Sequence, residues 1–391
     1  MQPDILCFSS TDWEGVWGSR QQVMLRFARR GYRVLYIERP VGLEHLLRYD
    51  HFRRRKFRRW REGLRRVENN LHILSLPPLL PGRYYSTSIN NINYRFVRRW
   101  LQRYTKKWGI DRPILWLYLP EHGPLVGQFN ELLSVYHCID EWTANTTGRK
   151  RATISALETE LLGRVDLVLA NSPPTYENKR RYNPQTYRIP SGVDVDFFTQ
   201  ALNPATAIHP ALAHITSPII GYSGHVNERL NYQVIEYLAR QRPAWSFVFV
   251  GDTYPWTLDT PPLNRLRQLP NVYFLGKYPY AEMPALIKGM DVCLVPYVSD
   301  ERGYYRSPLK LYEYLAAGKP VVSTTHPEVE EFGEVVPIAS SPEAFLGCVE
   351  QALTDDNEQR QHQRVVLARQ HSWDSRVDRM EEIIQPRLGL A

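Results

Sequence analysis

Short apolar runs that alternate with amphipathic segments are the feature that most constrains the fold of this chain. In the first half the apolar runs are DILCFSS (4–10), RVLYIE (33–38), LHILSL (71–76), ILWLYL (114–119), SVYHCID (134–140), VDLVLANS (165–172) and TYRIPSG (186–192). Segments such as 19–31 separate them and carry apolar residues at helical spacing. Strands rich in Val, Ile and Leu that alternate with helices form parallel sheets covered on both faces, so we predict an α/β protein.

The same alternation occurs a second time. It lapses over 199–217, which contains two prolines, and then restarts with IIGYSG (219–224), SFVFVGD (246–252), VYFLGK (272–277), DVCLVPY (291–297) and PVVST (320–324). A chain of 391 residues is also too long for one compact core. We predict two doubly wound, Rossmann-like domains, 1–200 and 218–370, joined by a linker at 201–217. Ligands bind at the carboxyl ends of the strands in such sheets, so a cleft between the two domains is the expected site.

The net charge of +8 comes from one segment. Residues 53–66 hold nine Arg or Lys and one Glu, which leaves 40 basic and 40 acidic residues elsewhere. Phe57, Trp60 and Leu64 recur there at helical spacing. An insertion over about 43–66 that contacts an anionic membrane through residues 52–66 fits this pattern, and a solvated charged helix or loop tip fits it equally. Nucleic-acid binding is not predicted, because no basic face continues elsewhere.

The N-terminal residues MQPDILCFSS lack the basic region and long apolar core of a signal peptide. No apolar run approaches the ~20 residues that a membrane-spanning helix needs. The four cysteines are far apart and lie in or near apolar runs, which is typical of buried thiols in a reducing compartment. We therefore predict a cytoplasmic protein, peripheral at the inner face of the plasma membrane.

The stretch RSPLKLYEYLAAGKPVV (306–322) reads as a helix followed by a strand. Ser307 is expected to cap the helix and Pro308 to open it. The third helical position favours an acid, yet it is Lys310. A cation there is unfavourable by ~0.3–1 kcal/mol unless an anion binds the helix start.

A nucleotide diphosphate would supply that anion. Arg302 and Arg306 lie beside Lys310 and can add charge-assisted contacts to phosphate. Glu313 shares a helix face with Lys310 and can accept hydrogen bonds from two ribose hydroxyls. The alternative is a surface Lys–Glu pair worth a few tenths of a kcal/mol.

Several stretches together resemble GT-B glycosyltransferases of the large family 4 group. SPLKLYEYLAAGKPVVST (307–324) resembles their signature helix. Two further stretches resemble parts of their donor domain, namely GYSGHVNERLNYQVIEYLARQRPAWSFVFVGD (221–252) and NVYFLGKYPYAEMPALIKGMDVCLVPY (271–297). IPSGVDVDFF (189–198) is similar to the segment that closes their first domain. WEGVWGSRQQVMLRFARRGYRVLYIERP (13–40) and VYHCIDEW (135–142) resemble the subset that builds bacterial surface polysaccharides, of the teichuronic-acid type.

We expect a transfer without a metal or a cofactor, because fixed amides together with Lys and Arg can stabilise the charge on a leaving nucleoside diphosphate. The resemblance implies the course of the reaction. The sugar would be linked to UDP or GDP in the C-terminal domain, and a glycan or lipid-linked acceptor would enter through the N-terminal domain. A helix over 371–391 would cross back to the first domain. The nucleotide-sugar site implied by the resemblance and by the helix start comprises Gly15, Gly18, Gly224, His225, Arg229, Arg302, Arg306, Ser307, Lys310, Leu311 and Glu313.

This sequence departs from the family pattern near the reacting sugar. Tyr305 stands eight positions before Glu313, where the family usually has a first glutamate. Asp140 lies where relatives place an active-site histidine, and it could act as a general base or orient the donor sugar. His122 ends a predicted strand and is a third catalytic candidate. The alternative functions are a sugar-nucleotide epimerase of the same fold and a catalytically silent nucleotide-sugar-binding scaffold. A nicotinamide enzyme that uses Glu38 is a weaker alternative.

Overall fold

A computed structural model describes residues 2–14, 17–43, 57–144, 146–253, 259–300, 304–305 and 307–389. The chain forms two compact units. Unit 1 comprises Met1–Pro190 and Arg376–Ala391, and unit 2 comprises Ser191–Ser375. Each unit contains its own sheet with helices in the connections. The predicted α/β class with two Rossmann-like halves is confirmed.

Unit 1 contains one eight-stranded sheet. Its strands are β1 (Ile5–Phe8), β2 (Val34–Ile37), β3 (Arg65–Glu68), β4 (Leu71–Leu74), β5 (Ile114–Leu117), β6 (Leu133–Cys138), β7 (Leu167–Ala170) and β8 (Thr186–Arg188). They lie in the order β3-β4-β2-β1-β5-β6-β7-β8. Only the β3–β4 pair is antiparallel. In the part of unit 1 that the structure describes, the helices include Ser19–Arg29, Thr87–Trp108, Gly148–Leu162 and Pro173–Lys179, and a 3-10 turn lies at Pro120–Leu125.

Unit 2 contains a six-stranded parallel sheet. Its strands are β9 (Ile219–Ser223), β10 (Ser246–Val250), β11 (Val272–Gly276), β12 (Val292–Val295), β13 (Val321–Thr324) and β14 (Ile338–Ala339), in the order β11-β10-β9-β12-β13-β14. Among the residues that the structure describes, its helices include Val195–Phe198, Tyr232–Gln241, Pro261–Arg267, Met283–Lys288, Leu309–Ala316, Pro342–Asp355 and Glu358–Gln370. Short 3-10 turns lie at Thr199–Leu202, Pro210–Leu212, Tyr280–Glu282 and Val329–Phe332.

The central strands are buried on both faces, as their continuous apolar sequences predict. Every residue of β1, β2, β5 and β10 is buried. In each sheet the strand order reverses at the centre, between β1 and β5 in unit 1 and between β9 and β12 in unit 2. Such reversals leave a crevice beyond the carboxyl ends of the strands. The loops that follow β1 and β9 are therefore the places to look for ligand-binding residues.

The predicted linker at 201–217 is part of unit 2. The helix Val195–Phe198 and the turns that follow it contribute Phe198, Ala201 and Leu212 to the hydrophobic core of that unit. Asp194 caps this helix, since its carboxylate accepts the amide of Phe197 at 3.3 Å. The division after Pro190 precedes the expected boundary, because buried apolar residues in an irregular segment carry no periodic signal.

The C-terminal segment contacts unit 1. The helix Trp373–Ile384 is followed by a 3-10 turn at Gln385–Arg387. Asp378 and Glu381 of this helix both bind the guanidinium of Arg30, with 2.7 Å between Asp378 Oδ1 and Arg30 Nη1. Gln385 donates to the hydroxyl of Tyr32 at 2.7 Å. These contacts join residues 376–389 to the rest of unit 1.

The basic segment differs from the predicted interfacial helix. Residues 57–62 are helical, and Arg65 and Arg66 belong to β3. The part of the prediction that rests on 44–56 lies outside the described residues. Arg59 is buried, and its guanidinium contacts Asp12 at 3.4 Å and Glu38 at 3.8 Å. This arginine faces the interior of unit 1, where the fully buried Glu38 carboxylate attracts it. In the described ranges, no helix has the length and apolar character needed to cross a bilayer.

Candidate functional site

The start of the helix Leu309–Ala316 carries most of the predicted nucleotide contacts. Pro308 is its N-cap residue, so the helix begins one position later than predicted. Ser307 does not cap it. The Ser307 hydroxyl donates to Glu328 Oε1 at 2.6 Å and accepts the amide of Ser191 at 3.2 Å. The predicted cap is wrong, because the fully buried Glu328 carboxylate takes the hydroxyl that would have served the helix.

Lys310 and Glu313 share one face of this helix, as their spacing predicts. The distance from Lys310 Nζ to Glu313 Oε2 is 2.8 Å, and the two side chains are 25% and 10% exposed. The pair is partly buried, which distinguishes it from a surface ion pair. Leu311, by contrast, is buried in the core of unit 2, and its amide donates to the Pro308 carbonyl at 3.0 Å. The prediction that Leu311 contacts nucleotide is wrong, because its side chain and its amide are both engaged within the protein.

The loop after β9 packs closely against the end of β10. Gly224 donates its amide to the carbonyl of Val250 at 2.8 Å. Gly224 and Gly251 have φ angles of +154° and +145°, which L side chains rarely adopt. A Cβ placed on Gly251 would lie 2.0 Å from the carbonyl oxygen of Gly224. Only glycine permits this approach, so the two glycines fix the position of the loop that carries His225 and Arg229.

His225 and Arg229 lie in the same electrostatic environment as Lys310. Burial lowers the pKa of His225, and the positive charges of Lys310 and Arg229 lower it further, whereas Asp252 raises it. The Arg229 amide donates to Asn227 Oδ1 at 3.1 Å, and the Arg229 carbonyl accepts the amide of Val298 at 2.8 Å. Unit 2 therefore places His225, which follows the end of β9, within electrostatic range of Lys310 and Arg229, and Glu313 pairs with Lys310.

Tyr314 joins this helix to β9, and the sequence analysis did not identify it. Its hydroxyl accepts the amide of Ser223 at 2.7 Å and lies 3.2 Å from the Ser223 hydroxyl. Tyr314 is fully buried in the core of unit 2. A tyrosine among the apolar positions of the helix was the available signal, because a buried phenol needs a polar partner. The contact fixes the position of Lys310 and Glu313 relative to the end of β9.

Some predicted residues cannot be placed. Gly15, Arg302 and Arg306 lie outside the described residues. Tyr305 is half-buried, and its ring meets that of Tyr304 edge-on with 5.3 Å between centroids. A phenol therefore occupies the sequence position where the family pattern has its first glutamate.

In unit 1 the loop after β1 leads to the helix Ser19–Arg29. Gly18 precedes this helix, and its amide donates to Gln21 Oε1 at 3.2 Å. A Cβ on Gly18 would meet no atom of the described residues within 4 Å. Arg20, which the sequence analysis did not identify, contacts Asp140 with 3.3 Å between Nη2 and Oδ2. The Asp140 side chain is 32% exposed, so a salt-bridged carboxylate beyond the end of β6 is accessible to solvent.

A buried ionic cluster lies directly after Asp140. Lys179 Nζ is 2.7 Å from Glu141 Oε2 and 2.9 Å from Glu158 Oε2, and all three residues are buried. Tyr136 donates its hydroxyl to Glu158 Oε1 at 2.7 Å. Burial opposes a charge on Lys179, but the acidic groups around it raise its pKa. Glu141 is thus clamped in the interior, which leaves Asp140 as the accessible carboxylate of the Asp140–Glu141 pair.

His122 is not part of an accessible site. It is fully buried, with its ring 5.5 Å from Phe8 and 5.6 Å from Tyr94. Its Nδ1 accepts the amide of Leu119 at 3.3 Å. Burial, and to a smaller extent Arg83, lowers the pKa of His122 to about 3, so the ring is neutral. The prediction of a catalytic His122 is wrong, because the turn that follows β5 places the ring in the apolar core.

Glu38 is likewise engaged within unit 1. It is fully buried, and its carboxylate accepts the amide of Trp13 at 3.1 Å and the hydroxyl of Ser75. Arg59 and Arg65 complete its surroundings. Every contact ties Glu38 to the protein, so the structure gives no support to a ribose-binding role in a nicotinamide enzyme.

Part of this sequence is similar to known glycosyltransferases. Residues 217–355 match the family model for glycosyl transferases group 1. A Bacillus subtilis (strain 168) protein, described as the teichuronic acid biosynthesis glycosyltransferase TuaH, is 25% identical over 284 residues, which cover 68% of this chain and 70% of that protein.

Solved structures resemble the whole chain. Sucrose-phosphate synthase (tll1590) from Thermosynechococcus elongatus superposes with a TM-score of 0.72 at 17% identity and covers 100% of both chains. Anabaena Alr3699/HepE in complex with UDP and glucose has a TM-score of 0.65 at 15% identity, covering 98% of this chain and 100% of its own. At these identities the likenesses show the fold.

Proposed function

We propose that this protein, a glycosyltransferase of the GT-B fold with a group 1 glycosyl transferase domain at residues 217–355, transfers a sugar from a nucleotide diphosphate to a lipid-linked or polysaccharide acceptor. The observation that carries the proposal is the partly buried pair of Lys310 and Glu313, whose ammonium lies within electrostatic range of His225. This arrangement offers positive charge to a diphosphate and a carboxylate to a ribose. Unit 2 is then the donor domain and unit 1 the acceptor domain.

The proposed donor is linked to UDP, with GDP as the second candidate. The Lys310 ammonium would leave Glu313 and contact a phosphate, and the freed carboxylate would accept hydrogen bonds from the ribose hydroxyls. Arg229 would add a second positive charge, and the neutral His225 a hydrogen bond. Support for UDP comes from the similar fold of HepE, whose structure contains UDP and glucose. Gly18 of unit 1, where an added Cβ would meet none of the described atoms within 4 Å, is the proposed place where the backbone approaches the transferred sugar.

In the proposed reaction the bond between the anomeric carbon and the diphosphate oxygen breaks, and the acceptor oxygen bonds to that carbon. The acceptor hydroxyl loses its proton to Asp140, which is exposed enough to receive it. If Asp140 orients the donor sugar instead, another base takes the proton. The nucleoside diphosphate leaves with a developing negative charge, which Lys310 and Arg229 stabilise. The proposed chemistry needs no metal, because these cations supply the charge.

The proposed acceptor belongs to bacterial surface polysaccharide synthesis, and the proposed location is the cytoplasmic face of the membrane. TuaH, which this chain resembles over two thirds of its length, is described as acting in teichuronic acid biosynthesis. The four cysteines are free, and three of them are buried, which suits a reducing compartment. A lipid-linked acceptor would bring the enzyme to the membrane.

Nucleotide binding tests the donor half of the proposal. Purified protein is heated with UDP, GDP or CDP, and its thermal midpoint is measured. A nucleotide at a hundred times its dissociation constant stabilises the folded protein against unfolding by about 2.7 kcal/mol. We expect UDP or GDP to raise the midpoint. If none of the three nucleotides shifts the thermal midpoint, the proposal of a nucleotide-binding site in unit 2 is contradicted.

Product analysis tests the transfer itself. A panel of nucleotide sugars is incubated with protein and membrane extract, and mass spectrometry detects an acceptor that has gained one sugar. A chelator such as EDTA should leave the rate unchanged. Turnover of the nucleotide sugar to its epimer in the absence of extract would refute the transferase proposal in favour of an isomerase.

A further inference from the structure

The outer face of the helix Thr87–Trp108 carries exposed apolar residues. Ile92 and Phe96 are 53% and 50% exposed. Leu80 and Tyr85, which precede the helix, are also exposed. Asn93 joins Leu80 to the helix, because its side chain accepts the Leu80 amide at 2.8 Å and donates to the Leu80 carbonyl at 3.0 Å. The four apolar side chains therefore belong to one end of the helix.

The remainder of the same face is basic. The helix buries Asn90, Tyr94, Val97, Leu101 and Thr105 on its inner side. Ile92, Phe96, Arg99 and Arg103 follow one another at intervals of four, three and four residues on the opposite side. We call the exposed residues Leu80, Tyr85, Ile92, Phe96, Arg95, Arg99, Arg103 and Lys106 the outer face.

Among the described residues, the cations of the outer face have no salt-bridge partner. The 22-residue helix contains no Asp or Glu. In the described part of the chain, no carboxylate forms a salt bridge with Arg95, Arg99, Arg103 or Lys106. Other arginines of unit 1 are paired, as Arg33 with Asp4 at 2.6 Å shows. Surface cations gathered on one helix without acids attract an anionic partner.

A cavity lies beside these cations. It has a volume of 500 Å³, and Arg99, Arg103, Lys106 and Phe129 are among its lining residues. That volume is ample for a phosphate-bearing headgroup, and three cations at its wall would neutralise one. Apolar side chains at one end of the helix and a cationic cavity at the other match the two parts of a phospholipid.

We infer that the outer face docks on an anionic phospholipid surface, with Ile92 and Phe96 inserted among the acyl chains and Arg99, Arg103 and Lys106 at the headgroups. A nucleic acid would satisfy the cations but would leave the exposed apolar side chains in water. The inference deepens the membrane part of the proposed function and assigns it to a helix that lies outside the basic segment 53–66. Leu43, where the predicted insertion begins, donates its amide to the Leu79 carbonyl at 2.9 Å, next to Leu80 of the outer face.

Vesicle sedimentation tests the docking face. The full chain is mixed with phosphatidylcholine vesicles, with or without phosphatidylglycerol, and the bound fraction is measured without nucleotide. We expect binding only when phosphatidylglycerol is present. Arg99→Gln/Arg103→Gln should weaken it about thirty-fold, from about 1 kcal/mol per cation near an anionic surface and tenfold per 1.4 kcal/mol. Ile92→Ser/Phe96→Ser should weaken it at least tenfold, because insertion of two large apolar side chains is lost.

The controls separate this inference from the proposed function. Val366→Ser removes a comparably exposed apolar residue from unit 2 and should bind vesicles as the wild type does. Both outer-face variants should keep the thermal midpoint and the nucleotide response of the wild type, since the altered side chains are exposed. Wild-type vesicle binding by both variants would overturn the inference and leave the transferase proposal intact. Loss of duplex DNA binding in the arginine variant, with vesicle binding unchanged, would assign the face to nucleic acid and overturn it too.

Discussion

The ion pair at the start of the helix Leu309–Ala316 provides the sharpest test of the donor site. Lys310→Ala removes the ammonium that we place on the diphosphate. A hydrogen bond to a charged group contributes about 1.5–3 kcal/mol, so nucleotide affinity should fall about 10- to 150-fold. The same change removes a Lys–Glu pair within one helix turn, which stabilises a helix by about 0.2–0.5 kcal/mol. Binding should therefore suffer far more than folding.

Glu313→Gln separates the two partners. The amide keeps the size of the side chain but loses its charge, so it accepts the ribose hydroxyls less strongly. Affinity for UDP or GDP should fall, while affinity for inorganic diphosphate should not, because Lys310 is then released from its carboxylate partner. Isothermal titration calorimetry with nucleotide and with diphosphate measures both quantities for each variant.

Arg240→Ala is the matched control. Arg240 pairs with Glu236 at 2.9 Å on another helix of unit 2, also between residues one helix turn apart. Its loss should change stability as little as the loss of Lys310 does and should leave nucleotide affinity unchanged. The reasoning is refuted if Lys310→Ala and Arg240→Ala bind UDP and GDP with wild-type affinity. Equal losses of affinity in both variants would point to a general effect on unit 2 rather than to a phosphate contact.

Four further substitutions test the accessible Asp140 and three buried or strained positions. Asp140→Asn should reduce kcat by about 10²–10⁴ at unchanged nucleotide affinity if the carboxylate is the base, as steady-state rates will show. His122→Asn should flatten the loss of thermal stability between pH 7 and pH 5. Burial keeps the native ring neutral down to a pKa of about 3, whereas the unfolded ring binds a proton below about 6.5, which removes about 1.4 kcal/mol per pH unit. Gly251→Ala should destabilise unit 2 by more than about 1 kcal/mol in urea denaturation, because its Cβ would meet a carbonyl oxygen 2.0 Å away. Lys179→Met should cost about 3–5 kcal/mol by the same measurement, since two buried carboxylates lose their cation, and adding Glu158→Gln should recover part of it.

Much of the fold could be predicted because the strands are continuous apolar runs. The run at 246–252 contains β10, and the run at 291–297 contains β12. The spacing of Lys310 and Glu313 likewise predicted a shared face, since three residues make nearly one helix turn. Local periodicity was enough in these cases, because the contact partners are close in the sequence.

Three predictions were wrong because residues distant in the sequence determine where the side chains lie. Ser307 has the side chain of a helix cap, but Glu328 takes its hydroxyl. His122 follows a strand as a catalytic residue would, but Phe8 and Tyr94 enclose its ring. The basic run around Arg59 suggested a surface, yet Glu38 draws that arginine inward. None of these partners lies within one helix turn, so no sequence pattern predicted them.

Unit 1 combines the beginning of the chain with its last described helix, and this has a consequence for synthesis. A ribosome delivers all of residues 191–375 before Asp378, Glu381 and Gln385 emerge. Domains usually complete their folding in the order of translation, but here the later unit has its whole chain first. A nascent polypeptide halted before residue 376 would carry a finished second lobe. Its first lobe would still lack the two acids that bind Arg30 and the Gln385 amide that donates to Tyr32, so its folding would be incomplete.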